Sequence, residues 1–226
     1  MFESNVCMKQ TIESLDAPAR LLEAAEHLFA EQGITAVSIR DITNAAQTNV
    51  ASVHYHFGSK EELLLAVLAS RIGGINERRM EMLSQFEARQ RPVPVEEIMR
   101  AFLEPTVVLV RDRPHLLRLM GRMFVEAPQP LRCKMLENFK PVARTFHAAL
   151  RESLPGIHGE ELWMRLAFLV GSLLHAWTNY ADMAAVAGLE RETVDIDKIV
   201  ECLVRYASAG FRAPAGGGAC ANGGLP

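Results

Sequence analysis

The chain has 226 residues, 49% apolar and 23% charged, enough for a substantial core built without covalent staples. Its formal net charge of −3 does not advertise nucleic-acid binding. Cys7, Cys133, Cys202 and Cys220 are scattered, form no C-x-x-C pair and lie outside any zinc-ligand spacing, so no metal site is expected and a reduced, cytoplasmic setting fits.

Residues 1–15 read as a flexible segment with no basic-then-apolar pattern of an export signal. Helical periodicity then dominates and no stretch alternates like a strand, so the expected fold is all-α. The first helix runs from about Ala17 to Gln32, with Pro18 in its first turn, Leu21, Ala25, Leu28 and Phe29 on one face, and Gly33 as its stop. Ser38, followed three residues later by Asp41, caps a second short helix carrying Ile39, Ile42, Ala45 and Ala46. Asn49 caps a third, Val50 to about His56, which Gly58 ends. Ser59 with Glu62 reads as a capping box for a long fourth helix that Gly73 and Gly74 weaken and Pro92 and Pro94 stop.

Beyond Pro94, helices are expected over 95–112 and 131–153, kinked at Pro105 and Pro141, and over 114–126, 159–182 and 196–210. The apolar stretch Leu162 to Trp177 is interrupted by Arg165 and His175 and falls short of the roughly 20 residues of a membrane span, so it reads as a buried helix. The domain division is placed at 16–76 and 77–211, followed by a Gly/Ala-rich tail, 212–226, expected to be disordered.

Two short helices joined by a tight turn between Ser38 and Phe57 have the proportions of a helix-turn-helix, in which one helix braces across the DNA backbone and the next enters the major groove. Val53 and Phe57 are spaced to face the core. Val50, Ala51, Ser52, His54 and Tyr55 are then presented outward, small or hydrogen-bonding side chains suited to base edges and thymine methyls. Arg40 and Ser38 on the bracing helix, and Lys60 at the amide end of the fourth, supply phosphate-reaching groups. Bulk charge does not help: residues 1–60 hold four basic and seven acidic side chains, so placement carries the argument.

The run Ile39-Arg40-Asp41-Ile42, then Ala45-Ala46, then Val53-His54-Tyr55-His56-Phe57-Gly58-Ser59-Lys60-Glu61-Glu62-Leu63 resembles the DNA-binding domain of the TetR family. The resemblance covers about Ala17 to Leu68 and implies DNA contact by Thr48, Asn49, Ala51, Ser52, His54, Tyr55 and Lys60, with Arg40 reaching from the bracing helix. Gln47 stands where that family usually has Gly, and a left-handed backbone there would cost about 1 kcal/mol. Asn49 to Phe57 together with Leu116 to Arg122 resembles the PsrA-like branch, some of whose members respond to fatty acids; this implies a fatty acid or acyl-CoA effector.

In the second domain, Phe102, Met120, Met123, Phe124, Trp163, Phe168 and Trp177 are ordinary core residues or the wall of a cavity for a small apolar or amphipathic ligand. The helix holding Leu166, Val170, Leu173 and Leu174 is apolar on nearly every side, and with Ile199 and Leu203 it reads as a homodimer interface. His175 reads as a core histidine. No metalloprotease, nucleophile-elbow, Walker or dinucleotide motif appears, so neither catalysis nor a cofactor is expected. The reading is a ligand-responsive repressor acting as a homodimer on pseudo-palindromic DNA. A helical adaptor without DNA binding is the alternative.

Overall fold

The computed structural model describes residues 16–188 and 195–215; the expected flexible residues 1–15, and 216–226 of the expected tail, lie outside them. The described residues form helices α1 (Ala17–Gln32), α2 (Ile39–Ala45), α3 (Val50–His56), α4 (Lys60–Arg89), α5 (Val95–Leu103), α6 (Pro105–Asp112), α7 (Pro114–Glu126), α8 (Gln129–Glu137), α9 (Lys140–Ser153), α10 (Gly159–Val186) and α11 (Ile196–Arg212).

Local chemistry explains the first three boundaries. The Asp16 carboxylate accepts the Ala19 amide at 3.0 Å, and Ser38 and Asp41 exchange hydroxyl and carboxylate bonds with each other's amides in a complete capping box. Gln47, with φ of 51°, is the left-handed residue that ends α2. Its amide donates to the Asn44 carbonyl and that of Thr48 to Thr43, the two bonds of a Schellman ending, where glycine is the unstrained choice.

Several boundaries differ from the sequence reading. The expected Ser59–Glu62 box is half made: Ser59 Oγ accepts the Glu62 amide, but the Glu62 carboxylate pairs with Lys134 of α8 at 2.6 Å. The expected helix 95–112 is two helices, because Pro105 brings no amide and its ring clashes with the preceding turn. The expected helix 131–153 also divides, at Asn138 and Phe139, with Pro141 in the first turn of α9. Helix α4 continues through Gly73 and Gly74, α10 runs on to Val186 and α11 to Arg212.

Two apolar clusters hold these elements. The first joins α1–α3 and the first part of α4, through Phe29, Ile42, Val53 and Leu64, to Leu116, Met123 and Met135 of α7 and α8. The second joins Leu83 of α4 to α5, α9, α10 and α11 through Met99, Phe146, Leu169 and Phe211. Helix α7 thus packs against α1 on one side and α10 on the other. At the latter crossing Gly121 allows close approach, since a Cβ there would lie 3.2 Å from Thr178 Cγ2. Among the described residues no helix is long and apolar enough to cross a membrane.

Replacing Gln47 with Gly should raise unfolding free energy by roughly 0.5–1 kcal/mol, the left-handed strain less the added freedom of the unfolded chain. Urea unfolding measures it; an unchanged or lower midpoint means the turn carries no such strain.

Candidate nucleic-acid interface and effector cavity

The turn between α2 and α3 leaves one face of α3 uncovered. Val53 is fully buried and Phe57 half-buried, while Val50, Ala51, His54 and Tyr55 are exposed, Tyr55 to 85%. The face is nonetheless ordered. His54 Nδ1 lies 2.9 Å from the Gly58 carbonyl, and because a carbonyl only accepts, Nδ1 carries the hydrogen and Nε2 is directed away from that bond. Asn49 Oδ1 accepts both the amide and the hydroxyl of Ser52, at 2.9 and 3.2 Å, leaving the Asn49 amide nitrogen as a donor at the start of the helix.

Arg40 is exposed, and Lys60 is half-buried with Nζ 5.9 Å from the Phe29 ring centre. Bonds from the Ser38 hydroxyl and amide, with help from the Lys60 charge, hold the Asp41 carboxyl below its ordinary pKa, so a cation and a cap stand together at the edge of the face. Two expected contacts are not presented as free hydroxyls on this face. The Ser38 hydroxyl is donated to Asp41 at 2.6 Å, and the Thr48 hydroxyl is buried without a hydrogen-bond partner.

The acidic residues of the first helix do not crowd this face. Glu23 and Glu26 are bound by Arg71 of α4, at 2.6 and 2.8 Å, and by Arg113, which precedes α7, at 3.1 and 3.0 Å. Burial opposes the Arg113 charge, but the two carboxylates outweigh it and hold its pKa above the ordinary value. Glu31 pairs with Arg118 at 2.6 Å.

At the end of α1, Arg122 donates to the Ala30 and Glu31 carbonyls at 3.0 and 3.2 Å and pairs with Glu126 at 2.6 Å. The Glu126 carboxylate in turn accepts the Ile34 amide at 2.7 Å. Burial works to raise the Glu126 pKa, yet Arg122 and the Ile34 and Thr35 amides prevail and hold it below the ordinary carboxylate range. Gly33, at φ 98°, is required here for both turn and space: a Cβ would sit 2.9 Å from Arg122 Nη1 and 3.0 Å from Glu126 Oε2.

Helix α7 also lines a cavity of about 1030 Å³, through Met120, Gly121 and Phe124 and through Arg118, Arg122 and Glu126, with further walls from α4, α5, α9 and α10. Of the expected ligand contacts, Phe102, Met120, Phe124 and Trp163 line it. Met123 is instead fully buried in the first cluster, Phe168 is 70% exposed on the outside of α10, and the Trp177 side chain is outside the described set. His175, expected in the core, is exposed at the cavity rim. The expected dimer residues Leu166, Leu173 and Ile199 are buried within the protomer, with Val170, Leu174 and Leu203 packed against its clusters. No metal-holding cluster occurs among the described residues.

Two family models match this chain: the N-terminal domain of bacterial regulatory proteins of the tetR family at residues 21–67, and a tetracyclin repressor-like C-terminal domain at 100–210. This chain belongs to the TetR family. The family is one of regulators and not of enzymes. Neither match names the PsrA-like branch.

Among the relatives of this TetR-family chain, the HTH-type transcriptional repressor Rv3405c of Mycobacterium tuberculosis is 47% identical over 53 residues, which span 24% of this chain and only 28% of that protein. The regulator AcrR of Shigella flexneri is 27% identical over 150 residues, 63% of this chain and 69% of that protein. Among solved structures, the fatty acid degradation regulator FadR from Bacillus halodurans matches with TM-score 0.67 at 17% identity, over 88% of this chain and 98% of that one. FadR from Bacillus subtilis in complex with stearoyl-CoA also matches with TM-score 0.67, at 15% identity, over 85% and 98%. At such identities the structural likeness speaks for the fold alone.

Sequence reading missed Arg122, Glu126 and Arg79 as parts of a site, since their partners are remote in sequence. The Glu126 contact has a pH signature. Its folded pKa is depressed, so the stability it adds is present above about 4.5 and lost as pH falls through the folded value. Glu126→Gln should therefore unfold more easily than the parent at about pH 7, with the gap closing at about pH 3. An equal gap at both would show that the charge is not what matters.

Proposed function

We propose that this TetR-family chain is a DNA-binding transcriptional regulator, a ligand-responsive repressor that acts as a homodimer on a pseudo-palindromic operator. The observation that carries the reading is the uncovered, ordered face of α3 flanked by Arg40 and Lys60. A helix bearing small and hydrogen-bonding side chains at its exposed positions enters the major groove. There Val50 and Ala51 meet thymine methyls, and Asn49, Ser52, His54 and Tyr55 meet base edges or phosphates. With Nδ1 committed to Gly58, a neutral His54 offers Nε2 as an acceptor, the complement of an exocyclic amino group on adenine or cytosine.

A two-fold dimer sets two such helices one turn of DNA or a multiple apart. The surface that suits the dimer is the outward side of α10 and α11, where Met164, Phe168 and Tyr206 are 50%, 70% and 68% exposed. Leu166, Leu173 and Ile199 serve the protomer's own core beneath it.

The cavity is the effector site in this reading, taking a small apolar or amphipathic molecule. The stearoyl-CoA held by the FadR of similar fold supports an acyl ligand, fatty acid or acyl-CoA. Helix α7 forms a wall of the cavity through Met120, Gly121 and Phe124 and grips α1 through Arg122 and Glu126. An effector that prefers one setting of α7 against α10 shifts the dimer toward one spacing of its reading heads, and thereby releases DNA.

Fluorescence anisotropy on labelled DNA from beside the chain's own gene, with random DNA as competitor, tests the reading. Absence of competitor-resistant binding there would favour the adaptor. Lys60→Ala should weaken binding to all sequences alike and flatten the log–log salt slope by roughly 2 per dimer, about 0.9 for each phosphate contact. His54→Ala and Ser52→Ala should change the ranking among operator variants, and equal losses on every DNA would show that they read no bases. Phe168→Glu should give monomers in sedimentation velocity at micromolar concentration; intact dimers would place the interface elsewhere.

A further inference from the structure

Arg79 is an anomaly in the wall of the cavity. It projects from α4 at 5% exposure among Phe102, Val142, Leu166 and Val170, and no carboxylate lies within ion-pair distance of it among the described residues. Its Nε donates to the Phe102 carbonyl at 2.9 Å and its Nη1 to Asn76 Oδ1 at 3.1 Å, and the guanidinium lies 4.1 Å from the Phe102 ring centre. Two of its five N–H groups are thus spent on neutral acceptors, and the positive charge has no counter-ion. Burial alone pushes its pKa down to about 10, still far above neutrality, so the group is a cation held in an apolar chamber.

A buried charge without a partner is costly, and a bare structural role at this position would be filled as well by an uncharged donor. The other arginines of the lining, Arg118 and Arg122, are paired with Glu31 and Glu126, so a largely apolar cavity with the unpaired Arg79 guanidinium in its wall, N–H groups to spare, is complementary to one chemical class. Such a ligand has a single anionic head that accepts from the planar fork and an apolar body that fills the rest. The walls agree: Phe102 lies against the buried Arg79, while Val125 and Leu136, 83% and 45% exposed, lie where the cavity meets solvent.

We propose that Arg79 is the anion receptor of the cavity, so that the effector is an amphipathic carboxylate seated head-first with its carboxylate on the Arg79 guanidinium. This rests on the reading of the cavity as the effector site and narrows it. A free acid fits head-first; a thioester of the same acid has no carboxylate to offer at that end.

The test uses the full chain and a neutral fluorescent reporter of apolar cavities, N-phenyl-1-naphthylamine, displaced by dodecanoate or by 1-dodecanol. These competitors share one alkyl chain and differ in the head. Dodecanoate should displace the reporter from the parent protein at a concentration roughly tenfold lower than 1-dodecanol, although the alcohol is the more water-averse molecule. Arg79→Lys should keep that order. Arg79→Met should reverse it while holding the reporter about as tightly as the parent.

Equal displacement by both competitors, or a carboxylate preference that survives in Arg79→Met, would overturn the receptor role and leave the cavity standing. Failure of the reporter to bind the parent at all would remove the effector cavity and the receptor together. Should the methionine variant not fold, Arg79→Gln, which keeps a neutral donor and removes the charge, carries the same comparison.

Discussion

The grip of α7 on the carbonyl end of α1 is the contact on which the rest of this structure depends. An unassisted helix end leaves carbonyls without partners and concentrates partial negative charge there. Here Arg122 supplies the missing donors to Ala30 and Glu31, and Glu126 takes the amide just past the turn at Ile34. The two side chains also pair with each other, so neither is left with an uncompensated charge. Because α2 follows within a few residues, whatever fixes the end of α1 fixes the origin of the reading head.

The same arrangement resolves a contradiction in the composition. An acidic chain is a poor candidate for DNA binding if its charges are spread evenly. They are not: Glu23, Glu26 and Glu31 are answered by arginines of α4, of the α6–α7 junction and of α7, and Asp16 and Asp41 close helix ends. What these carboxylates stabilise is the seating of one part of the molecule on another. Net charge therefore says little about the potential on the face that meets DNA.

What was legible in the sequence was local. Caps at Ser38, Asn49 and Ser59, glycines at helix ends and the proline in the first turn of α1 act within four residues, and the first four helices follow from them. The outward set on α3 was equally readable, since burial of Val53 settles which way its neighbours face. The phase of α10 was not readable: a helix apolar on nearly every side gives no moment by which to choose, and Leu166 lines the cavity, where Phe168 was expected, while Phe168 is exposed. Arg79 lies in a charged stretch of α4, where an arginine reads as solvated. Only the assembled fold puts Phe102 across from it, and residues that meet across such separations leave no mark in a local pattern.

Helix α4 is unbroken from Lys60 to Arg89 and belongs to both apolar clusters, giving Leu63, Leu64 and Ile72 to the first and Leu83 to the second. It is therefore a lever with its short arm in the chamber. Nineteen residues separate Arg79 from Lys60, roughly 28 Å of helix, so a tilt of about 5° about the inner end carries the outer end sideways by about 2.5 Å. In the proposed dimer two-fold symmetry would double this to about 5 Å between the heads, against half-sites spaced about 34 Å apart. A displacement of that size takes a side chain from hydrogen-bonding reach of a base edge to beyond it, so rearrangements in the chamber too small to disturb the core are large where the groove is read.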